Sequence, residues 1–245
     1  MKVKEEMRQP EKARESEVVS SQKRAARKFG RRRTPRYEGA QITVGNIMQA
    51  TRELVDTEKW HELSTEKIAA RAGVSIGSLY QYFPNKEAIV LALYEDASAR
   101  AAHTVRAVLY DVISMTPDRA LKIIVRSLVE LYEKDRKVLL GLPLHYPELS
   151  LPAMPLSLDN MIRNSTRAYM RLHMPKCSPK HLDTRVFVME NAVVHTVQNY
   201  VAHLPENVSR HQLIEELSEI VAAHLQRPKK AKTRSSRRRN SRKLR

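Results

Sequence analysis

The segment Ser64 to Lys86, STEKIAARAGVSIGSLYQYFPNK, carries two residues that leave the backbone little choice. Gly73 stands where a left-handed residue ends one helix, and Pro84 cannot continue another. Before Gly73, Thr65 offers a side-chain oxygen as N-cap, and Ile68, Ala69 and Ala72 recur at helical spacing. A helix of about eight residues is expected there. After it, Val74 is an apolar plug, Ser75 caps, and Ile76 to Phe83 supply a second short helix before Pro84 stops it. Two helices joined by about three residues make a helix-turn-helix.

Small residues are expected where these helices cross: Ala69, Ala70, Ala72 and Gly73 on the first, Gly77 and Ser78 on the second. Leu79 and Phe83, four apart, point inward together. Ser75, Ile76, Ser78, Gln81 and the rings of Tyr80 and Tyr82 are left facing out or along the rim. Hydroxyls on an outer face need partners, and DNA phosphates supply them. A plain helical hairpin, with Tyr80, Tyr82 and Phe83 as its core, is the simpler alternative. It does not require Gly73, Ser75 and Gly77 at turn positions together with a basic helix start at Lys86.

The segment resembles the DNA-binding region of TetR-family transcriptional regulators, whose pattern runs roughly T-x-x-x-I-A-x-x-A-G-V-S-x-G-x-L-Y-x-Y-F-x-N-K-E-x-L. Thr65, Ile68, Ala69, Ala72, Gly73, Val74, Ser75, Gly77, Leu79, Tyr80, Tyr82, Phe83, Asn85, Lys86 and Glu87 carry that resemblance. It implies that Ser75, Ile76, Gly77 and Ser78 approach base edges, and that Tyr80, Gln81 and Tyr82 flank the groove. Thr65 and Lys86 would hold phosphates from the starts of their helices. Gln81 can instead pair with adenine, and Ile76 offers only apolar contact.

Charge is distributed unevenly. Of the formal +17, eight basic residues and no acid fall in 23–36, and eleven basic residues and no acid fall in 227–245. Residues 1–22 balance, so 37–226 carry a net of −2. The excess therefore sits in two terminal segments that suit a polyanion, while the body is close to neutral. Both segments are poor in apolar residues and are expected to be disordered: 1–36 as a basic arm, with Arg32 and Arg33 placed to enter a minor groove, and 227–245 as a basic tail. A solvated leader adding only nonspecific attraction is the alternative for the arm.

The body reads as all-α: an N-terminal three-helix helix-turn-helix domain over 37–84, then a C-terminal helical bundle over 85–226 for effector binding and dimerisation. The first helix is expected from about Thr43 to Lys59, with Trp60 and Leu63 closing the three-helix core. Asn85 caps a long helix that leads from the helix-turn-helix into the bundle. Further helices are expected from Pro117 to near Leu142, from Leu156 to Leu172, from Pro179 and from Ser209. Prolines 143, 147, 152 and 155 mark a loop or a broken helix.

An effector pocket is expected within 118–203. Met154, Met161, Tyr169, Met170, Met189, His195 and Tyr200 are its candidate lining, since adaptable Met and polar-tipped aromatics suit a mostly apolar cavity. Ordinary helix packing is the competing account of each. His173, Cys177 and His181 are spaced by four, as metal ligands on a helix would be, but Pro175 and Pro179 break such a helix, and no metal or cofactor is expected. No nucleophile, acid–base or phosphate-loop signature marks an enzyme, and with six glycines there is no Gly-rich loop.

A lone Cys177 excludes an intrachain disulfide and fits a reducing compartment. The start has no apolar signal core, and no window of eighteen apolar residues occurs, so a cytoplasmic protein is expected. Together with the resemblance, these features imply a homodimer paired through its last two helices, binding a palindromic double-stranded operator and released from it by a small-molecule effector. The alternative is a ligand-independent architectural protein that coats DNA with the same helix-turn-helix and both basic tails.

Overall fold

A computed structural model describes residues 20, 38–57, 60–149, 151, 156–174 and 178–226. Arg32, Arg33, both basic termini, Met154 and Cys177 lie outside the described residues. Every extended element among those described is helical, with no strand.

Helix α1 spans Glu38–Thr57, starting earlier than its spacing suggests, and buries Val44, Ile47, Ala50, Leu54 and Val55 on one face. A 3-10 turn, Trp60–Glu62, leads to α2, Thr65–Ala72, and then to α3, Ile76–Tyr82. Leu79 and Phe83 are fully buried against Ile47 and Ile68 in the shared core. These three helices form the N-terminal helix-turn-helix unit.

Asn85 caps α4, Lys86–Val112, accepting from the Ala88 N–H at 2.9 Å. Residues 88–94 of α4 are buried on every side, because the helix runs between α1 and the bundle. Pro117 opens α5, Pro117–Lys134, from the first helical position, where its missing N–H costs nothing. The sequence suggests one helix to about Leu142. Instead α5 ends at Asp135 (φ −116°), and a π-turn, Lys137–Gly141, joins the four-residue α6, Leu142–His145. The interruption turns the Asp135 side chain toward α1 and sets Gly141 against Trp60.

The remaining helices are α7, Leu156–His173, α8, Pro179–His203, and α9, Arg210–Gln226. Leu182, Val186, Val193, Val194, Val197 and Val201 of α8 all face the core, as their spacing requires. Ser209 caps α9 reciprocally: its Oγ accepts from Gln212 N–H at 3.1 Å, and the Gln212 side chain accepts from Ser209 N–H at 3.4 Å. Ile220 is 65% exposed, although its spacing groups it with the buried Leu217 and Val221. And α9 leans mainly on α5, tied by Lys122 to Glu215 and by Arg210 to Glu130 at 3.0 Å, while touching α8 little.

Trp60 was expected to plug the three-helix core. It stands at the seam instead: its ring stacks on His145 at 4.9 Å and meets Tyr146 edge-on at 6.4 Å, and a Cβ on Gly141 would lie 2.8 Å from Cζ2 of the indole. Beside it, Asp135 accepts from Arg52 of α1 and from Arg100 of α4, and Lys137 donates to the Asp56 carbonyl at 2.6 Å. The apolar packing of α1 on α4 that holds the helix-turn-helix unit is thus reinforced at the seam by a small charged cluster and one indole.

Candidate nucleic-acid interface and effector cavity

The turn between α2 and α3 is built from its glycine. Gly73 adopts φ 66°, ψ 30°, donating to the Ala70 carbonyl at 3.3 Å, while Val74 N–H reaches back to Ala69 O at 3.0 Å. This paired closure satisfies the last carbonyls of α2 and turns Val74 onto the core. Ser75 then caps α3, its Oγ accepting from Ser78 N–H at 3.0 Å and lying 2.8 Å from the Ser78 hydroxyl.

The outer face of α3 is a compact, mixed surface. Ser75, Gly77 and Gln81 are exposed, Ile76 is 41% exposed and Tyr80 38% exposed, with Ser78 half-buried between them. Gly77 meets only Ser75 Oγ at 3.9 Å where its Cβ would be, so it is not needed for a close helix crossing and leaves this face flat. Ala70 is likewise exposed. Close packing of α2 on α3 therefore falls to Ala69 and the buried Leu79 and Phe83.

Three expected site residues take other positions. Tyr82 is buried rather than flanking the groove, because it follows Leu79 by three and shares its inward face. The cap of α2 is Ser64, whose Oγ accepts from Lys67 N–H at 3.3 Å. Thr65 is buried one position further on, its hydroxyl 3.1 Å from that of Tyr80, so it positions Tyr80. The start of α2 also already holds an anion: the Glu66 carboxyl is kept below its usual range by its own backbone N–H and by Ser64. Lys86 is half-buried with Nζ 5.8 Å over the Tyr146 ring, which burial pushes up to about 12.

Inside the bundle, α4, α5, α7 and α8, with Leu225 of α9, line a partly open cavity of about 80 Å³. Its walls are apolar, with Leu109, Leu121, Ile124, Ile162, Met189 and Val193 among them, and its polar points are Ser165, Thr166, Tyr169 and Glu190. Of the seven residues expected in a pocket, Tyr169 and Met189 line it. Met170 is fully buried in the core, Met161 and Tyr200 pack on the core, and His195 is exposed, 3.1 Å from the Gln198 side chain. The Tyr169 hydroxyl donates to Met115 O at 2.8 Å, and burial pushes it up to about 12. The His173 ring lies 4.2 Å from that ring, tilted by 31°, and no cluster of metal-ligating side chains occurs among the described residues.

Glu190 escaped the sequence reading. Its side chain is 11% exposed, and burial pushes its carboxyl up to about 7 against the pull of Arg163. A glutamate amid Val and Met reads as solvated until α7 is seen to cover it.

Residues 47–93 match the family model of bacterial regulatory proteins, tetR family. That stretch takes in most of α1, all of α2 and α3, and the start of α4. Among curated proteins, it is similar to the HTH-type transcriptional regulator EthR of Mycolicibacterium smegmatis, 35% identical over 74 residues, or 28% of this chain and 34% of the relative. It is also similar to the fatty acid metabolism regulator protein of Bacillus subtilis, 38% identical over 50 residues, or 20% of this chain and 26% of that one. The chain thus spans about a third or less of the length of the curated relatives it matches.

Among solved structures, the fatty acid degradation regulator FadR from Bacillus halodurans superposes with a TM-score of 0.54 at 18% identity, covering 74% of this chain and 94% of the other. FadR from Bacillus subtilis in complex with stearoyl-CoA gives 0.51 at 18% identity, covering 73% and 97%. The likeness of fold therefore extends beyond the tetR-type domain into the helical bundle. No described helix is long and apolar enough to cross a membrane.

Proposed function

We propose that the chain is a homodimeric, sequence-specific DNA-binding transcriptional regulator, most simply a repressor released from its operator by a small molecule. One observation carries this reading. A helix-turn-helix with a glycine-closed turn presents the flat, exposed face of α3, and the single helix α4 joins that unit to an apolar cavity. That a solved protein of similar fold holds stearoyl-CoA supports a ligand-accepting bundle.

On this reading Ser75, Ile76, Gly77, Ser78 and Gln81 meet base edges, while Tyr80, held by Thr65, and the backbone N–H groups opening α3 meet phosphates. Lys86 reaches phosphate by leaving the Tyr146 ring. Arg32 and Arg33 would add minor-groove contacts. The dimer pairs through the outer faces of α8 and α9, where Phe187, Val188 and Ile220 are 63%, 47% and 65% exposed. A two-fold dimer matches a palindromic site, with one α3 per half-site.

Selection of bound DNA from a random pool tests the reading, and an enriched palindrome is the expected result. Gln81→Ala or Ser78→Ala should then change preference among operator variants, while Tyr80→Phe and Lys86→Ala weaken all of them alike. Binding without sequence preference, with a steep salt slope that disappears when 1–36 and 227–245 are deleted, would replace this reading with the architectural one.

A further inference from the structure

Among the described residues, Glu190 is the one carboxylate on the cavity wall, and its partners do not complete it. Thr166 hydrogen-bonds the carboxylate, but its Oε1 is fully buried with no hydrogen-bond partner from the described residues. Two arginines of α7 flank it, yet each is engaged elsewhere: Arg163 Nη2 lies 2.6 Å from Asp159 and Arg167 Nη2 2.9 Å from Asp183. Arg163 Nε stands 4.0 Å from the Glu190 carboxylate, a contact too long for a hydrogen bond. With Glu190 ionised, these two cations and three anions sum to −1. From α4, α5 and α9, only apolar side chains line the cavity.

A buried carboxylate facing an apolar hollow, in a cluster one positive charge short, describes one end of a ligand site. Deepening the proposal that the bundle binds the regulating molecule, and resting on it, we infer that the cavity takes a lipophilic amine: a single protonated nitrogen on Glu190 and a hydrocarbon body among Leu109, Leu121, Ile124 and Val193. The cation supplies the missing charge and a donor to Oε1, while the chain needs no polar partner.

Size limits the body. About 80 Å³ of space for water-sized atoms holds on the order of six non-hydrogen atoms. A second, smaller hollow bounded by Val105, Leu109, Ile124 and Leu128 continues along α4 and α5, so a linear chain extends more easily than a branched one.

Burial holds the Glu190 carboxyl up to about 7, with Arg163, the Thr166 hydrogen bond and Arg167 lowering it and Asp159 raising it. An amine needs the ionised form. Its affinity should therefore rise with pH, roughly 30-fold between pH 5.5 and 8, in proportion to the ionised fraction of a group near 7. A carboxylate ligand on the arginines would show the reverse.

The test is calorimetry on the full chain, without DNA, using n-hexylamine, n-hexanol and n-hexanoate. Hexylamine should bind at least tenfold more tightly than either isostere at pH 8, with affinity rising from pH 5.5. Glu190→Gln should lose that preference while keeping hexanol binding. Hexanoate binding most tightly, or an amine affinity flat or falling with pH, overturns the inference but leaves a ligand-binding bundle standing. No binding by any of the three overturns both. Because wild-type protein supplies the pH profile, the result stands even if Glu190→Gln folds poorly.

Discussion

Replacing Asp135 by alanine should loosen the seam between the helix-turn-helix unit and the bundle by an amount the structure sets. Asp135 is 7% exposed, and its Oδ1 serves both Arg52 and Arg100, the latter at 3.4 Å. Without it, Arg52, whose side chain is 21% exposed, retains only Asp96 at 4.0 Å. Breaking a buried pair by removing one partner costs about 3–5 kcal/mol, and the partial exposure of Arg52 with its residual carboxylate sets the value near the lower end, about 3 kcal/mol. In a protein of this size each kcal/mol moves Tm by about 2–4 °C, so the variant should melt roughly 6–12 °C lower. Asp135→Asn keeps an oxygen acceptor and should lose about half as much. Asp96→Ala removes a half-exposed carboxylate and should cost under about 1 kcal/mol. Thermal unfolding followed by circular dichroism measures all three. A fall under about 3 °C for Asp135→Ala, or equal falls for Asp135→Ala and Asp96→Ala, would refute the assignment of the seam to this buried cluster.

Gly73→Ala places a Cβ in a left-handed residue with open space around it, so the cost should be backbone strain alone, about 1 kcal/mol; a melting loss several times larger would show that packing is also involved. Leu204→Gly should do the opposite, because Leu204 closes α8 at φ 45° while 47% exposed, and a gain of about 0.5–1 kcal/mol is expected in the same melts. The Glu190 carboxyl binds its proton more tightly folded, at about 7, than unfolded, at 4.5. The stability this contributes is complete below pH 4.5 and is lost as pH rises to about 7. It amounts to about 3 kcal/mol, so Tm should fall across that window in the wild type and stay flatter in Glu190→Gln.

The helices of the N-terminal unit could be read from sequence because their ends are chemically marked: Gly73, Ser75, Pro84 and Asn85 each do locally what the sequence suggests. Errors arose where two neighbouring residues could play one part. Ser64 and Thr65 both carry hydroxyls, and the choice of Ser64 as cap follows from the engagement of Thr65 with Tyr80, fifteen residues away. The burial of Tyr82 was available from spacing, since it lies three after Leu79 on the face that Phe83 also shares. The seam was not available: Arg52 and Asp135 are 83 positions apart, and nothing in the local pattern pairs them. Glu190 was hidden for the same reason, because its burial depends on α7 rather than on its own helix. Local chemistry thus revealed the exposed face of α3, and tertiary packing alone created the cavity and the charged cluster.

These two packing features occupy the same pair of helices, and that bears on how an event in the cavity reaches DNA. Val105 and Leu109 of α4 line the cavity, and the N-terminus of α4 lies about 30 Å away at 1.5 Å per residue, directly after α3. A tilt of α4 by about 3° at the cavity therefore moves its DNA-proximal end by about 1.6 Å. Such a tilt would dissipate if the helix-turn-helix unit were free to stay behind. Asp135 prevents this: it joins α5, which also lines the cavity through Leu121 and Leu128, to Arg52 of α1 and Arg100 of α4. Both walls of the cavity are thereby tied to the helix-turn-helix unit. A ligand that favours one tilt of α4 over another shifts the position of α3 by that difference in affinity and no more. In the proposed dimer, such a displacement in each copy changes the spacing between the two α3 helices, which is the quantity a paired half-site reads.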